Sequence, residues 1–196
     1  TLFATLAFLV KIPTICLGLP LLYLCLQKYK LNVLKQWKLW IFTAVSILLT
    51  FLWYNHSNYL KTIEGGISNN TLSFTYYVFE YSIYYAMRFS FYKKVFFNEV
   101  FEKDLIYVGG VFFVLGIIFT LRKREFRYIH YWLLAILVYF FIAAKEVEWH
   151  TYYTIPIIVP ASIYIGYAIK NSLKLINAYK ITGIKKIVLQ ALFVIM

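Results

Sequence analysis

The chain has 196 residues, of which 62% are hydrophobic and 14% are charged, and its formal net charge is +12. A soluble domain is nearer half apolar and a quarter charged, so this composition argues against a soluble enzyme. The basic residues are divided among short loops without a soluble scaffold, which argues against nucleic acid as a partner. We expect an integral membrane protein whose cations lie against anionic lipid headgroups.

Several apolar runs approach the length of about 20 residues that a membrane-spanning helix needs. They cover residues 12–26, 37–54, 105–121, 129–144 and 152–169, and a further run begins at 187–196. The sequence therefore predicts an all-α, polytopic transmembrane helix bundle, as a single domain over residues 1–196. The chain lacks an initiator methionine and begins and ends inside apolar runs, so we expect a fragment of a longer protein.

The charges predict how the helices are oriented. Short loops rich in Lys and Arg stay on the cytoplasmic side. Residues 28–38, 122–127 and 170–186 have this composition, so they are predicted to be cytoplasmic. The intervening segments 55–104 and 145–150 are then external, and they carry nearly all the acidic residues.

The external segment 55–104 is too long for a simple connection, and long loops are usually functional or partly structured. Its first part has the composition of a loop, whereas residues 72–97 are dense in Phe and Tyr. An aromatic helix of this kind is suited to the headgroup layer of the membrane. We therefore expect a partly helical external loop.

Four ionisable groups lie within six residues of the short external connection, namely Lys145, Glu146, Glu148 and His150. The connection holds them near the outer helix ends, where they could bind a phosphate or a hydroxylated group, with His150 or a carboxylate available for proton transfer. The alternative is that any short outer loop must be polar. We predict that His150 and Tyr153 line an outer-face cavity.

Two further residues are candidates on this face. Lys11 precedes Pro13, which disfavours a continuous helix and places a turn at the outer surface. Its ammonium group is suited to an anionic lipid phosphate there, or it is a snorkelling lysine at a helix end. His56 follows Trp53-Tyr54. It could converge on the same site, or it could be an interfacial residue.

Soluble-enzyme motifs are missing from the sequence. It contains no Walker loop, dinucleotide fingerprint, HExxH, CxxC or nucleophile elbow. Cys16 and Cys25 are too few for a disulfide framework or a metal site. We expect neither a cofactor nor a metal.

Three segments resemble a known family. Residues 6–13 with 19–22 resemble the L-x-K-x-P … lpll segment of polyprenol-phosphate-sugar-dependent membrane glycosyltransferases, family 39 or protein-mannosyltransferase-like enzymes of the GT-C fold. Residues 53–56 are similar to the Trp-Tyr-x-His that opens a large external loop in bacterial members. Residues 150–160 resemble their H-x-Y-Y-x-x-P-x-x-x-P helix start.

The resemblance implies an inverting enzyme that passes a sugar from a polyprenyl-phosphate donor to a lipid, protein or glycan acceptor on the outer face. Lys11 and the 145–150 loop would bind the donor phosphate or shape the cavity. The family's catalytic base is an acidic residue of a first external loop, which lies outside this sequence, so the catalytic residue stays unknown. The substrate-binding candidates are Lys11, His56, Lys145, Glu148, His150 and Tyr153.

Two other functions stay open at this stage. An O-antigen polymerase or ligase also combines many spans with a large external loop, but such loops are usually rich in arginine, and Arg88 is the single external arginine here. A transporter would need polar residues at mid-span depth, where the predicted spans hold few. The residue usage resembles that of a low-GC bacterium, so we expect a bacterial inner membrane.

Overall fold

The computed structural model describes residues 4–6, 12–63 and 82–178. About 93% of these residues are helical, and there is no strand among them. Three of the described helices are long and apolar enough to cross a membrane, or four if a bent pair counts as one span. The prediction of an all-α, polytopic membrane protein is confirmed.

The first part of the chain forms a short helix followed by a long one. A 3₁₀ segment, Ile12–Leu17, leads into α1, Gly18–Tyr29, and a second 3₁₀ segment, Lys30–Lys35, precedes α2, Trp37–Ile63. Helix α1 ends at Lys30, whose φ of 51° is incompatible with a right-handed helix. Helix α2 has no Gly or Pro in its 27 residues, so nothing in its sequence interrupts it.

The second part begins with two single turns, Ile83–Ala86 and Phe89–Tyr92, and a π-helical segment, Lys93–Asp104. Helix α3, Ile106–Thr120, follows after a sharp bend, and a 3₁₀ turn leads to α4, Arg127–Ile142. Helix α5, Ala144–Trp149, is joined by two 3₁₀ turns to α6, Ile158–Ala178.

The candidate spans overlap most of the predicted ones. They are Trp37–His56, Arg124–Ile142 and Thr151–Leu175, together with the bent pair Phe89–Asp104 and Ile106–Thr120. The predicted span over 12–26 corresponds to a 3₁₀ segment and the 12-residue α1, which is too short to be counted as a span. The run at 187–196 lies outside the described residues.

The chain divides into two compact units by contact. One comprises residues 1–87 with 134–145, and the other comprises 88–133 with 146–196. In the first unit, Ser82 donates a hydrogen bond of 2.6 Å to the carbonyl oxygen of Ile142, which ties the start of the turn Ile83–Ala86 to the end of α4. The second unit contains the site-bearing helices α3 and α6.

Helices α3 and α6 pack closely through small residues. A Cβ atom on Gly116 would lie 2.2 Å from the carbonyl oxygen of Tyr164, so only glycine permits this approach. The buried face of α6 includes Ala161, Tyr164 and Ala168, at helical spacing. Asp104 pairs with Thr154, Gly116 meets Tyr164, and Lys123 pairs with Tyr167, so α3 and α6 run parallel.

The bend before α3 brings the π-helical segment back onto the helix. The axes of Phe89–Asp104 and Ile106–Thr120 differ by 108°, and Ile106 has a φ of 55° at the junction. Such a backbone is costly for a β-branched residue. Gly110 lets the ring of Phe101 lie against α3, since a Cβ atom there would be 2.4 Å from that ring.

Candidate functional site

The connection between α4 and α6 is built from short helical turns. In α5, Ala144 and Val147 are fully buried, whereas Trp149 is exposed. His150 is extended, with φ −126° and ψ 112°, and it separates α5 from the 3₁₀ turn Thr151–Tyr153. Its backbone N–H donates to the carbonyl of Glu146 at 2.9 Å, and its own carbonyl accepts from Tyr153 at 3.1 Å. These two backbone hydrogen bonds therefore fix the position of the His150 Cα and Cβ atoms.

The imidazole of His150 is surrounded by two aromatic rings and a carboxylate. Its ring is stacked with the rings of Tyr152 and Tyr153, at centroid distances of 5.5 and 5.9 Å. Its Nε2 lies 3.6 Å from a carboxylate oxygen of Glu146, and 47% of the histidine side chain is exposed. The ring is therefore held in place by neighbours of its own loop while it stays open to solvent or to a ligand.

The second unit also contains two carboxylates, each with one oxygen that has no hydrogen-bond partner. One carboxylate oxygen of Asp104 and one of Glu148 are buried without a hydrogen-bond partner. Asp104 lies beside the buried hydroxyl of Thr154, which also donates to the carbonyl of Thr151 at 2.8 Å. Buried polar atoms are nearly always paired, so each of these oxygens is suited to accept a hydrogen bond from an enclosed water.

The π-helical segment Lys93–Asp104 contains a paired carboxylate as well. Glu99 is 6% exposed, and both of its carboxylate oxygens accept hydrogen bonds from Lys103, at 2.8 and 3.0 Å. Its negative charge is compensated within its own segment. Asp104, five residues later, lies beside Thr154 in the connection that leads to α6.

The structure places the predicted site residues in different parts of the molecule. Glu148, His150 and Tyr153 belong to the second unit, and the structure brings His150 and Tyr153 into ring contact there. Lys145 and His56 belong to the first unit; the His56 ring lies 6.5 Å from that of Trp53. Lys11 lies outside the described residues, so its proximity to His150 stays a prediction.

A second polar network connects three helices at the opposite end of the unit. His130 Nε2 lies 3.2 Å from the carbonyl oxygen of Thr120, and His130 Nδ1 lies 2.6 Å from the hydroxyl of Tyr164. Because a carbonyl only accepts, Nε2 carries the hydrogen and Nδ1 accepts from Tyr164. Every member is satisfied with a neutral imidazole, which is the arrangement expected of a structural network.

Sequence reasoning missed Asp104, His130 and Tyr164. Asp104 directly precedes an apolar run, and His130 is an ionisable residue near the start of one, a position that favours a specific partner. The positions of Asp104 and His130 beside apolar runs are visible in the sequence. The identity of the partners, Thr154 and Tyr164, depends on contacts between distant segments.

Within the described ranges, no group of three His, Cys, Asp or Glu residues is arranged to hold a metal ion. No family model, no curated protein and no solved structure matches this chain.

Proposed function

We propose that this chain is part of a membrane glycosyltransferase that moves a sugar from a polyprenyl-phosphate donor to a lipid, protein or glycan acceptor on the outer face. The observation that carries the proposal is the His150 imidazole, stacked with Tyr152 and Tyr153 beside Glu146 at the start of a candidate span. Charge predicts that this end of the span faces outward.

The chemistry of the loop suits a sugar joined to a phosphate. The aromatic faces of Tyr152 and Tyr153 can pack against the C–H groups of a sugar ring. An imidazole N–H of His150 can donate to a phosphate oxygen. These groups bind and orient the donor; no carboxylate of this chain is proposed as the catalytic base.

Replacing His150 tests the proposal. In the full-length protein, His150→Ala should lower sugar transfer from a polyprenyl-phosphate donor by about tenfold or more, because one charge-assisted hydrogen bond contributes about 1.5–3 kcal/mol. His150→Gln keeps a hydrogen-bond donor but cannot carry a charge. Activity of the glutamine variant near that of wild type would restrict His150 to hydrogen bonding.

A matched control is Ile155→Ala, which truncates an exposed side chain of the same connection. It should transfer sugar at the wild-type rate. If His150→Ala were as active as this control, at an equal amount of folded protein, the proposed site would be wrong.

The orientation is tested separately by labelling. In a background in which Cys16 and Cys25 are replaced, a cysteine at Ser90 should react with an impermeant reagent added outside intact cells, whereas one at Asn32 should not. Both positions are exposed in the structure. Labelling of the Asn32 position from outside would overturn the assignment of the outer face.

A transporter is the second candidate, and the hydrogen-bonded pair Tyr164–His130 favours it, because ionisable groups within spans often mark a transport path. Both ring nitrogens of His130 are occupied by protein groups, however. The pair therefore offers no donor or acceptor to a cargo, and the transferase is the stronger proposal.

A further inference from the structure

A cleft of about 380 Å³ lies at the end of α3 and α6 that is opposite to the His150 loop. It is lined by Phe119, Lys123, Tyr167, Asn171, Lys174 and Leu175. Phe119 and Leu175 provide apolar surface, while two lysines and an amide provide hydrogen-bond donors. The cleft thus combines an apolar wall with a cationic rim, as an amphiphilic ligand requires.

Lys123 is held at the rim by Tyr167. Its ammonium nitrogen hydrogen-bonds to the tyrosine hydroxyl and lies 4.7 Å from the centroid of the same ring. Asn171 fixes this part of α6 by donating to the carbonyl oxygen of Tyr167 at 2.8 Å. The hydrogen bond with Tyr167 raises the pKa of Lys123, so this lysine is positively charged at any physiological pH.

The surroundings of the cleft are strongly basic. Exposed cations flank it along the loop and along α6, namely Arg122, Arg124, Arg127 and Lys170. Glu125 is the acidic residue of this loop, and it is close enough to act on Lys123. The excess of positive charge attracts an anion, and short loops of this composition lie on the cytoplasmic side.

We propose that this cleft binds the headgroup of an anionic phospholipid of the cytoplasmic leaflet. Lys123 and Lys174 contact the phosphate, and Phe119 and Leu175 contact the glycerol and the first carbons of the acyl chains. The proposal rests on the orientation predicted from charge, but it does not depend on sugar transfer. A lipid fits better than a free anion because most of the exposed lining is apolar and because Tyr167, Asn171 and Lys174 of the lining belong to the candidate span Thr151–Leu175.

The test measures which lipid the purified full-length protein retains. The protein in a neutral detergent is mixed with equal amounts of phosphatidylglycerol and phosphatidylcholine, and the bound lipid is counted by native mass spectrometry. The wild-type protein should prefer phosphatidylglycerol. The double variant Lys123→Gln/Lys174→Gln should lower that preference by about tenfold, because each cation near a lipid surface contributes appreciably to anionic-lipid binding.

A matched control removes two charges from the other basic loop. Lys28→Gln/Lys35→Gln replaces two exposed lysines of the first unit and removes the same amount of charge. The preference of this variant for phosphatidylglycerol should stay within about twofold of that of the wild type. If this control lost the preference for phosphatidylglycerol to the same extent, the total positive charge of the protein, and not the cleft, would select the lipid.

Two further measurements keep the test decisive. Lys174 is exposed, so Lys174→Glu should fold and should still lose the preference, even if the double variant is unstable. Millimolar inorganic phosphate should not displace phosphatidylglycerol from the wild-type protein. Displacement of phosphatidylglycerol by phosphate would show that the cleft binds free anions. If Lys174→Glu kept the wild-type preference for phosphatidylglycerol, the cleft would not be the lipid site.

Discussion

Helices α2 and α6 carry candidate spans of equal mean hydropathy, but they differ in how much protein surrounds them. Within the span windows, 6% of the residues in Trp37–His56 are buried, against 33% in Thr151–Leu175. Apolar composition therefore indicates that a helix can enter a bilayer, and it does not indicate what the helix packs against. The features that decide packing are found elsewhere in the two sequences.

Small residues and paired polar groups distinguish α6. In lipid, helices gain little from hiding apolar surface from each other, so they associate through close backbone approach and hydrogen bonds. Helix α6 has Ala161 and Ala168 on its buried face and meets Gly116 of α3. Helix α2 instead exposes bulky side chains such as Trp40, Leu48 and Phe51, which suit contact with acyl chains.

The largest expected effect comes from filling the α3–α6 contact. Gly116→Leu must push the helices apart, because even its Cβ atom would collide with the Tyr164 backbone. Overpacking of this kind costs about 1–3 kcal/mol or more. The midpoint temperature of unfolding of this variant in detergent, measured by fluorescence-detected size exclusion, should lie clearly below that of the wild type.

Ala44→Leu on α2 is the matched control, since Ala44 is exposed, and its midpoint should not change. If both variants unfolded at the wild-type temperature, the close approach of α3 and α6 would not be a source of stability.

A smaller loss is expected from Tyr164→Phe. The variant keeps the buried ring but removes the hydroxyl that donates to His130 Nδ1. The loss should be about 0.6–2 kcal/mol, the range for side-chain hydrogen bonds between membrane helices and for an acceptor left unpaired. In the background of His130→Leu, the same substitution should cost much less. Additive losses in this double-mutant cycle would contradict a direct interaction.

Ser46→Ala should have the smallest effect, and its sign should be opposite. The Ser46 hydroxyl on α2 is buried without a hydrogen-bond partner, whereas that of Tyr164 is paired. Removing an unpaired buried group is neutral or stabilises by up to about 1 kcal/mol. A lower unfolding midpoint for this variant would show that Ser46 has a partner in the assembled protein.

The sequence predicted the helical class and most of the spans, because bilayer thickness fixes how long an apolar run must be. Helix ends were less predictable. Helix α2 continues to Ile63, well beyond the expected end at residue 54. Polar residues do not stop a helix, and the first glycines after residue 54 are Gly65 and Gly66. The 108° bend before α3 has no glycine or proline at its junction, so no local signal marked it.

The site was predictable where its residues are neighbours in sequence. The proximity of Glu146, His150 and Tyr153 follows from spacings of four and three residues. The pairing of Asp104 with Thr154 joins residues fifty positions apart, and the parallel packing of α3 and α6 creates it. One sequence alone does not specify such a pairing, since many registers of two apolar helices satisfy the same pattern.

The candidate span Thr151–Leu175, which consists of two 3₁₀ turns and most of α6, connects the aromatic loop at His150 with the exposed cation Lys170. The twenty positions between them correspond to roughly 30 Å of helix, which is also the thickness of the hydrocarbon layer in a typical bilayer. We therefore expect the polar groups at the two ends of this span to lie in the two headgroup layers. A thinner or thicker membrane would have to tilt α6 or deform around it, so bilayer thickness itself becomes a condition on where this protein resides.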